Sequence, residues 1–335
     1  MDRFNGKTVV ITGACGTVGG ELVRQLVAMP DVSIIALDNN ESELFFQQEQ
    51  FRRTGRVQCY LADIRDPDAL TMRFQGADVV LHSAALKHVG LCEQSPTEAV
   101  RTNINGTQNV INAALANQVE RVIFTSSDKA VNPTNVMGTT KLMGERLMTA
   151  ASESNTGSRT VFASTRFGNV LGSRGSVVPL FKRQIAKGGP ITLTDKKMTR
   201  FVMTLEEAAR LVLNSVWLAQ GGEVMVTKMP VARIEDIAIA MRDGAAQANS
   251  VKIVEIGAKP GEKMYEELMN DEEVRRTKEL GDYFVILPAF ADKDAAIYDY
   301  LKGCAAPDRP YHSSYEPAMN QQGVAAYLGD SKLLD

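Results

Sequence analysis

The sequence predicts an α/β protein built on a doubly wound parallel sheet. In its first half, short unbroken apolar runs alternate with stretches of helical periodicity, a pattern typical of strands that crossover helices bury on both faces. A glycine-rich loop joins the first apolar run to the first helix, as in sheets of this class. With 335 residues, 44% of them hydrophobic, the chain can form one large domain or two intimate ones.

Strands and helices are predicted to alternate as far as residue 166. The predicted strands are residues 8–12, 33–37, 57–61, 79–83, 121–125 and 160–166. The predicted helices between them are residues 19–28, 43–53, 67–74, 98–117 and 137–152. Because crossovers between parallel strands are right-handed, a sheet covered on both faces follows.

The character of the sequence changes after about Asn169, where loops rich in glycine and proline begin. Three amphipathic helices are predicted in this half, at residues 206–219, 234–246 and 262–269. We therefore predict a Rossmann-type domain formed by residues 1–170 with about 200–228. Residues 171–199 and 229–335 are predicted to form a smaller α/β lid at the carboxyl ends of the strands. From Pro307 the tail is predicted to be extended chain that wraps a neighbouring subunit.

Composition argues against several classes of protein. The net charge of −3, with acidic and basic residues mixed throughout, gives no sign of a nucleic-acid or membrane-surface partner. Four scattered cysteines and three scattered histidines lack the spacing of metal ligands, and this cysteine usage fits a reducing compartment. The N-terminal residues do not resemble a secretory leader, and no apolar run reaches about 18–20 residues, so we expect a cytoplasmic protein.

The glycine-rich loop predicts a dinucleotide site. Its residues are Gly13, Cys15, Gly16, Thr17, Val18 and Gly19. Glycines at this G-x-x-G-x-x-G spacing allow backbone amides to approach a pyrophosphate. The pyrophosphate then lies at a helix N-terminus, where free N–H groups and the helix dipole favour anions.

Asp38 favours NAD over NADP as the dinucleotide. It ends the second predicted strand, where a carboxylate accepts hydrogen bonds from the ribose hydroxyls and repels the extra phosphate of NADP. No arginine or lysine stands beside it in the sequence. Asp63, after the third strand, is placed to reach the adenine. The positions expected beside the cofactor are Asp38, Asn39, Asp63, Ile64, Ala84 and Ala85.

The segment after the fifth predicted strand carries the candidate chemistry. Ser127, Asp128 and Lys129 place a hydroxyl, a carboxylate and an amine in a row at a strand's carboxyl end, where ligands bind in such sheets. Lys141 follows on the next helix, one turn beyond Met137. A polar turn that only caps a helix is the alternative interpretation.

Together these motifs resemble the extended short-chain dehydrogenase/reductase superfamily, and within it the nucleotide-sugar 4,6-dehydratases of the polysaccharide-biosynthesis (CapD-like) family. The resemblance also rests on Asn103 and on residues 84–89, 166–173, 198–201 and 260–263, and it extends to about Val285. Where the superfamily usually has a tyrosine, this chain has Met137, and a thioether cannot deprotonate an alcohol. Methionine at this position is typical of a subgroup of these dehydratases.

The resemblance implies an NAD-dependent UDP-N-acetylglucosamine 4,6-dehydratase, a redox-neutral hydro-lyase. Asp128 is our candidate for accepting the proton of the carbon 4 hydroxyl and for protonating the leaving hydroxyl on carbon 6. Ser127 would hydrogen-bond the carbon 4 oxygen. Burial of Lys129 beside the cationic Lys141 is expected to lower the pKa of Lys129, so that its neutral amine can remove the carbon 5 proton.

The resemblance further implies a nucleotide-sugar pocket. Additional cofactor contacts expected from it are Lys87, Asn103 and Lys141. Expected substrate contacts are Lys87, His88, Asn169, Val177, Arg200, Lys259 and Glu262. Arg200 and Lys259 would supply cations for the diphosphate, although Lys259 replaces an arginine usual in the family and loses its bidentate pairing. A homo-oligomer, a dimer or larger, is also expected.

Two other functions stay open. A UDP-hexose 4-epimerase needs the same cofactor and the same ketone but no elimination, and Met137 with the Asp128–Lys129 pair argues against it. A non-catalytic NAD-sensing regulator keeps the glycine loop and loses the catalytic cluster, which is present in this sequence.

Overall fold

Parallel strands and their covering helices make up the chain, seen here in a computed structural model that describes residues 2–154, 160–245, 251–257, 261–290 and 296–334. The strands are β1 Thr8–Thr12, β2 Ser33–Asp38, β3 Val57–Leu61, β4 Val79–His82, β5 Arg121–Ser127, β6 Val161–Phe167, β7 Asn169–Val170, β8 Ile191–Leu193, β9 Thr199–Met203, β10 Val224–Thr227, β11 Val231–Arg233, β12 Ile253–Glu255, β13 Glu267–Met269, β14 Thr277–Leu280, β15 Tyr283–Ile286 and β16 Tyr311–His312. The α-helices are α1 Thr17–Val27, α2 Glu41–Phe51, α3 Pro67–Arg73, α4 Val89–Gln94, α5 Pro96–Ala99, α6 Gly106–Ala116, α7 Val136–Ser154, α8 Val177–Ala186, α9 Leu205–Leu218, α10 Ile234–Asp243, α11 Asp271–Val274 and α12 Gln321–Asp330.

A nine-stranded sheet forms the centre, in the order β14-β15-β10-β6-β5-β4-β1-β2-β3. The strands from β10 to β3 run parallel, and β15 and β14 add an antiparallel edge. Thr12 of β1 lies opposite Leu37 of β2 and His82 of β4, so the carboxyl ends of these strands are level. The chain order reverses between β1 and β4, and ligands bind at such a switch point.

The predicted fold class is confirmed. Residues 8–12 and 57–61 form strands with the predicted bounds, and the other four predicted strands differ by one or two residues at an end. The strands are rich in valine and isoleucine and nearly all of β1, β4 and β5 is buried, as expected for a sheet covered on both faces.

The predicted helix 98–117 is interrupted. Between α5 and α6 the backbone forms a π-helix at Val100–Asn105. Inside it, the buried side chain of Asn103 accepts from the Leu86 amide at 2.8 Å and donates to the Leu86 carbonyl at 2.9 Å. π-Helical turns are frequent at functional sites, and this one holds the loop that follows β4.

Two predictions for the second half are wrong. Residues 262–269 are not a helix, because Glu267–Met269 forms β13 and pairs antiparallel with β16. The tail after Pro307 is not simply extended, because α12 packs on α10 of the same chain through Val324 and Leu328. A short segment with few apolar residues is compatible with both helical and strand periodicity, so the segment that it packs against decides its secondary structure.

A separate apolar cluster underlies the second half of the chain. Its buried residues include Leu171, Val178, Phe181, Ile237, Met241 and Leu328.

Helix α10 ends at Asp243, and Ala246 of the predicted 234–246 helix lies outside the described residues. The division of the chain into two domains stays our proposal. Among the helices described, none is long and apolar enough to span a bilayer.

Candidate active site

The loop between β1 and α1 forms the floor of a cleft at the carboxyl ends of the strands. Gly13 has φ +68°, and a Cβ there would lie 2.7 Å from the backbone of Ala84. A Cβ on Gly19 would overlap the carbonyl oxygen of Gly13. Glycine is therefore required at both positions. Among the described residues no side chain caps the N-terminus of α1, which leaves its first N–H groups available to an anion.

Asp38 ties this loop to the end of β2. Its Oδ2 accepts from the amide of Cys15 at 2.9 Å, and its Oδ1 accepts from the amide of Asn40 at 3.0 Å. Each oxygen keeps a further lone pair for a ligand hydroxyl. The Asp38 carboxylate thus lies beside the glycine-rich loop, at the position from which we predict it to contact the ribose.

The cleft has a volume of about 640 Å³. Predicted residues that line it are Gly13, Cys15, Gly16, Asp38, Asn39, Asp63, Ile64, Ala84, Ala85, Lys87 and His88. Val18 packs against the main core, and Asn103 lies buried behind the cleft. The structure thus brings most of the predicted cofactor residues to one place.

Asp63 is already engaged by a cation. Nη2 of Arg65 lies 2.6 Å from Oδ2 of Asp63, and Arg65 also pairs with Glu98. This contact with Arg65 outweighs burial and lowers the pKa of Asp63. An adenine near Asp63 would therefore meet a carboxylate shared with Arg65.

Arg174, from the loop after β7, also lines the cleft. Lys87 Nζ donates to the carbonyl of Arg174 at 2.7 Å, and the amide of Arg174 donates to Thr17 Oγ1 at 3.2 Å. The guanidinium of Arg174 pairs with Glu43 at 2.7 Å. The sequence has no arginine or lysine beside Asp38, but Arg174 reaches this cleft from a distant segment, and its charge is neutralised by Glu43.

The candidate acid–base residues, Asp128 and Lys129, follow β5 directly. Ser127 Oγ donates to Asp128 Oδ1 at 2.5 Å, and Lys129 Nζ donates to the same oxygen at 3.0 Å. Asp128 is fully buried, and within the described ranges its Oδ2 has no hydrogen-bond partner. Lys129 lines a second pocket of about 280 Å³, so the cluster opens toward a space that can hold a substrate.

Glu266 also belongs to this cluster, although no motif in the sequence indicates it. It comes just before β13, and its Oε1 lies 3.5 Å from Lys129 Nζ and 3.8 Å from Nε of Arg200. The segment was predicted to be a helix, and Glu266 and Lys129 are far apart in sequence. The buried pairing of β13 with β16 is what brings Glu266 to the pocket.

The expected lowering of the Lys129 pKa is wrong. Burial opposes its charge, but the carboxylates of Asp128 and Glu266 outweigh burial and raise the pKa of Lys129. Lys141 is not among the groups that shift this pKa. The Nζ of Lys141 instead donates to the carbonyl of Thr125 at 2.7 Å and lies 4.6 Å from the centre of the Phe124 ring. Burial lowers the pKa of Lys141 itself to about 8.

The second pocket collects most of the predicted substrate residues. Those that line it are Asn169, Val177, Arg200 and Glu262. The Arg200 guanidinium donates to the carbonyls of Thr199 and Lys263 at 2.8 Å each, which fixes its orientation. Glu262 accepts from Thr194 at 3.0 Å. Lys259 lies outside the described residues, and Lys87 and His88 line the larger cleft.

A family model for polysaccharide biosynthesis proteins matches residues 9–288. The chain belongs to the polysaccharide biosynthesis protein family. The predicted family is thereby confirmed, and so is the prediction of an enzyme, since named relatives are nucleotide-sugar dehydratases and epimerases.

Relatives in this family differ in their names. The uncharacterized membrane protein MJ1061 of Methanocaldococcus jannaschii is 46% identical over 294 residues, 86% of this chain and 88% of that protein. A UDP-N-acetylglucosamine 4,6-dehydratase (inverting) of Campylobacter jejuni is 37% identical over 287 residues, 85% of this chain and 84% of that protein. A UDP-glucose 4-epimerase of Rickettsia canadensis is 37% identical over 290 residues, 84% and 83% of the two chains.

Longer and structurally known relatives complete the comparison. The capsular polysaccharide biosynthesis protein CapD of Staphylococcus aureus is 42% identical over 280 residues, 81% of this chain, and this chain spans 46% of its length. The X-ray structure of Pen from Bacillus thuringiensis is 40% identical, with a TM-score of 0.90 over 98% of both chains. The fold described above is therefore shared by a solved structure over nearly its whole length.

This member of the polysaccharide biosynthesis protein family has no proton-transfer group at position 137. Met137 is 4% exposed and packs in a small apolar cluster with Cys92 and Ala99. It lies in the first turn of α7, which Asn135 caps by accepting from the Gly138 amide at 2.8 Å. Proton transfer must therefore rely on other groups, such as the buried Asp128 and its partner Lys129.

Proposed function

We propose that the chain is an NAD-dependent UDP-N-acetylglucosamine 4,6-dehydratase that makes a 4-keto-6-deoxy nucleotide sugar. The observation that carries the proposal is the pairing of Asp128 and Lys129 at the pocket, with apolar Met137 in the position of the usual tyrosine. Elimination needs an acid and a base close together, and these two groups supply both. The dehydratase relative at 37% identity supports the same activity.

The residues of the larger cleft fit NAD. The close approach of Gly13 to Ala84 leaves no room for a side chain at this position, so a pyrophosphate at the loop would meet backbone amides. Asp38 offers oxygens to ribose hydroxyls and would repel the extra phosphate of NADP. NAD held by these residues would supply hydride chemistry, as oxidising power at carbon 4 and reducing power at carbon 6. Solved neighbours that hold NAD share this fold.

Each of these side chains then has a defined task, and Asp128 has two. Ser127 hydrogen-bonds the carbon 4 oxygen, and Asp128 accepts the proton of that hydroxyl. Protonated Asp128 donates to the hydroxyl that leaves carbon 6 as water. Lys129 removes the proton from carbon 5, which the ketone makes acidic, and this step requires its neutral amine. Lys141 holds the nicotinamide ribose.

The second pocket would hold the nucleotide sugar. Arg200 and Lys259 are proposed for the diphosphate, Glu262 for ribose hydroxyls, and Asn169 and Val177 for the pocket wall. A homo-oligomer, a dimer or larger, completes the proposal, and sedimentation of the purified protein measures it.

A UDP-hexose 4-epimerase is the second candidate, favoured by relatives that carry an epimerase name at 37% and 38% identity. Mass spectrometry after incubation of the purified protein with UDP-N-acetylglucosamine separates the two. Loss of one water supports the dehydratase, whereas an isobaric product assigns the epimerase. The proposed reaction is ruled out if the sugar is not converted. It is also ruled out if the protein is fully active with no bound and no added nicotinamide cofactor.

A further inference from the structure

Glu266 is a buried carboxylate that the proposed reaction leaves without a task. Its side chain is 3% exposed, and the residue lines the second pocket beside Lys129. Within the described residues its Oε2 has no hydrogen-bond partner. Buried carboxylate oxygens are normally satisfied, so an orphan oxygen at a pocket requires an explanation.

The charged groups that face Glu266 come from three elements. Asp128 and Lys129 lie on the turn after β5, Arg200 lies on β9, and Lys263 lies on the segment of Glu266 itself. Lys263 is directed elsewhere, since its Nζ donates to the carbonyl of Val131 and lies 3.6 Å from Glu267. Burial raises the pKa of Glu266, which makes it a better proton acceptor than an exposed glutamate.

The Lys129 amine lies between two carboxylates. Asp128 Oδ1 is 3.0 Å from its Nζ on one side, and Glu266 Oε1 is 3.5 Å away on the other. Both carboxylates hold a proton on Lys129, yet the elimination needs a neutral amine. Once Asp128 takes the hydroxyl proton, one of the two negative charges is gone and Lys129 gives up its proton more readily. Glu266 is then the ionised carboxylate nearest to that proton.

We propose that Glu266 is a positioning residue that accepts the proton of Lys129 and so makes Lys129 the carbon 5 base; this inference rests on the proposed dehydratase function. The proton leaves Nζ for Oε1, which gives an amine and a carboxylic acid. The amine takes the carbon 5 proton and becomes an ammonium. When that ammonium reprotonates carbon 5, Glu266 returns its proton to the amine, so the cycle closes without a co-reactant.

The pH dependence of the Glu266→Gln enzyme tests this transfer. With no internal acceptor, the Lys129 proton must leave to solvent. Dehydration should fall about 100-fold near neutral pH and then rise about tenfold per pH unit, while the wild-type rate stays flat over the same range. A substrate deuterated at carbon 5 should show a larger isotope effect on kcat in the variant. An unchanged rate, or a loss equal at every pH, overturns the proposal.

Two further variants serve as controls. Glu266→Asp keeps a carboxylate at the pocket, so it should keep the flat pH profile at a reduced rate even if Glu266→Gln folds poorly. Glu267→Gln makes the same chemical change one residue along, where the carboxylate pairs with Asn132 and Lys263, and it should behave as wild type. A steep pH profile in Glu267→Gln or in Glu266→Asp would contradict the assignment.

A measurement without substrate separates this proposal from the proposed function. After reductive methylation with ¹³C, NMR follows the titration of Lys129, whose signal is assigned by its absence from Lys129→Arg. Lys129 should titrate at a lower pH in Glu266→Gln than in the wild type, because one negative charge is gone. If Lys129 titrates at the same pH in both proteins, Glu266 does not affect the protonation of Lys129, and this proposal alone fails. If the wild type releases no water from the sugar, the dehydratase proposal fails.

Discussion

Two buried ionic clusters in this chain have opposite character. The structural cluster consists of Glu145, Arg166 and Glu273, and Arg166 donates to all four carboxylate oxygens at 2.7–2.8 Å. The site cluster consists of Asp128, Lys129, Arg200 and Glu266. Its distances from Lys129 and Arg200 to Glu266 are 3.5 and 3.8 Å, and among the described residues one oxygen of each carboxylate has no partner. Burial of charge alone therefore does not mark a reactive site, whereas incomplete pairing beside a pocket does.

The titration of the two glutamates reflects the same contrast. Burial opposes the charge of Glu273, but Arg166 outweighs it and lowers the pKa of Glu273. At Glu266 burial prevails over its cationic neighbours and raises the pKa. Equally buried carboxylates thus differ in readiness to take a proton, because only one has a guanidinium paired to both oxygens.

Asp128→Asn should give the largest effect. An amide cannot accept and return the hydroxyl proton, so kcat should fall about 10³-fold. The melting temperature and the bound NAD should stay near wild-type values, because Lys129 keeps Glu266 as a partner and reaches the pocket. The exposed Asp308→Asn variant is the control. An unchanged elimination rate in Asp128→Asn would remove Asp128 from the mechanism.

Glu273→Gln should act on stability instead. It leaves the buried Arg166 with a single carboxylate partner, and breaking such a pair costs about 3 kcal/mol of unfolding free energy. Chemical denaturation measures that loss, while kcat per folded molecule should stay near wild type. Glu272→Gln, next in sequence and 61% exposed, should change stability little. Equal losses in the two variants would contradict the structural role of the cluster.

Gly13→Ala should weaken cofactor binding by a smaller amount. A positive φ and a Cβ 2.7 Å from Ala84 impose strain of about 2 kcal/mol on the loop, or about thirtyfold in NAD affinity. Gly20→Ala is the matched control, since its Cβ would lie at an ordinary 3.6 Å from Ala14. NAD affinity is measured by calorimetry on protein freed of cofactor. Equal affinity in Gly13→Ala and wild type would mean that this loop does not hold the cofactor.

Acid should reduce the stability gap between wild type and Glu273→Gln. Because the folded pKa of Glu273 is lowered, its contribution is present above the ordinary glutamate pKa and is lost as pH falls through the folded value. Denaturation curves of both proteins between neutral and acidic pH should therefore converge. A gap that widened in acid would show that Glu273 does not stabilise the fold through its ionised form.

The sequence predicted best what is local. Gly13 directly follows β1, and Asp38 and Ser127 are the last residues of β2 and β5. Parallel strands bring their carboxyl ends to the same edge of the sheet. The strands themselves were recognised because their apolar runs are unbroken. The cofactor cleft is built from such local features, so most of its residues could be named from the sequence.

What depends on distant partners was missed. Glu266 reaches Lys129 only because β13 pairs with β16, a contact between segments of ordinary composition. The pKa of Lys129 is raised by Asp128 and, through that contact, by Glu266, and so the expectation based on Lys141 failed. Arg174 likewise reaches the cleft through a loop whose course no periodicity reveals.

Arg166 also connects the two sides of the candidate site. One partner of Arg166, Glu145, is on α7, the helix that carries Lys141. The Nη1 of Arg166 donates to the carbonyl of Leu268, two residues after Glu266. A single buried guanidinium thus sets the spacing between the helix that carries Lys141 and the strand that follows Glu266. If the proposed reaction holds, its proton-transfer groups are already in place when the chain has folded, and little rearrangement is needed in each catalytic cycle.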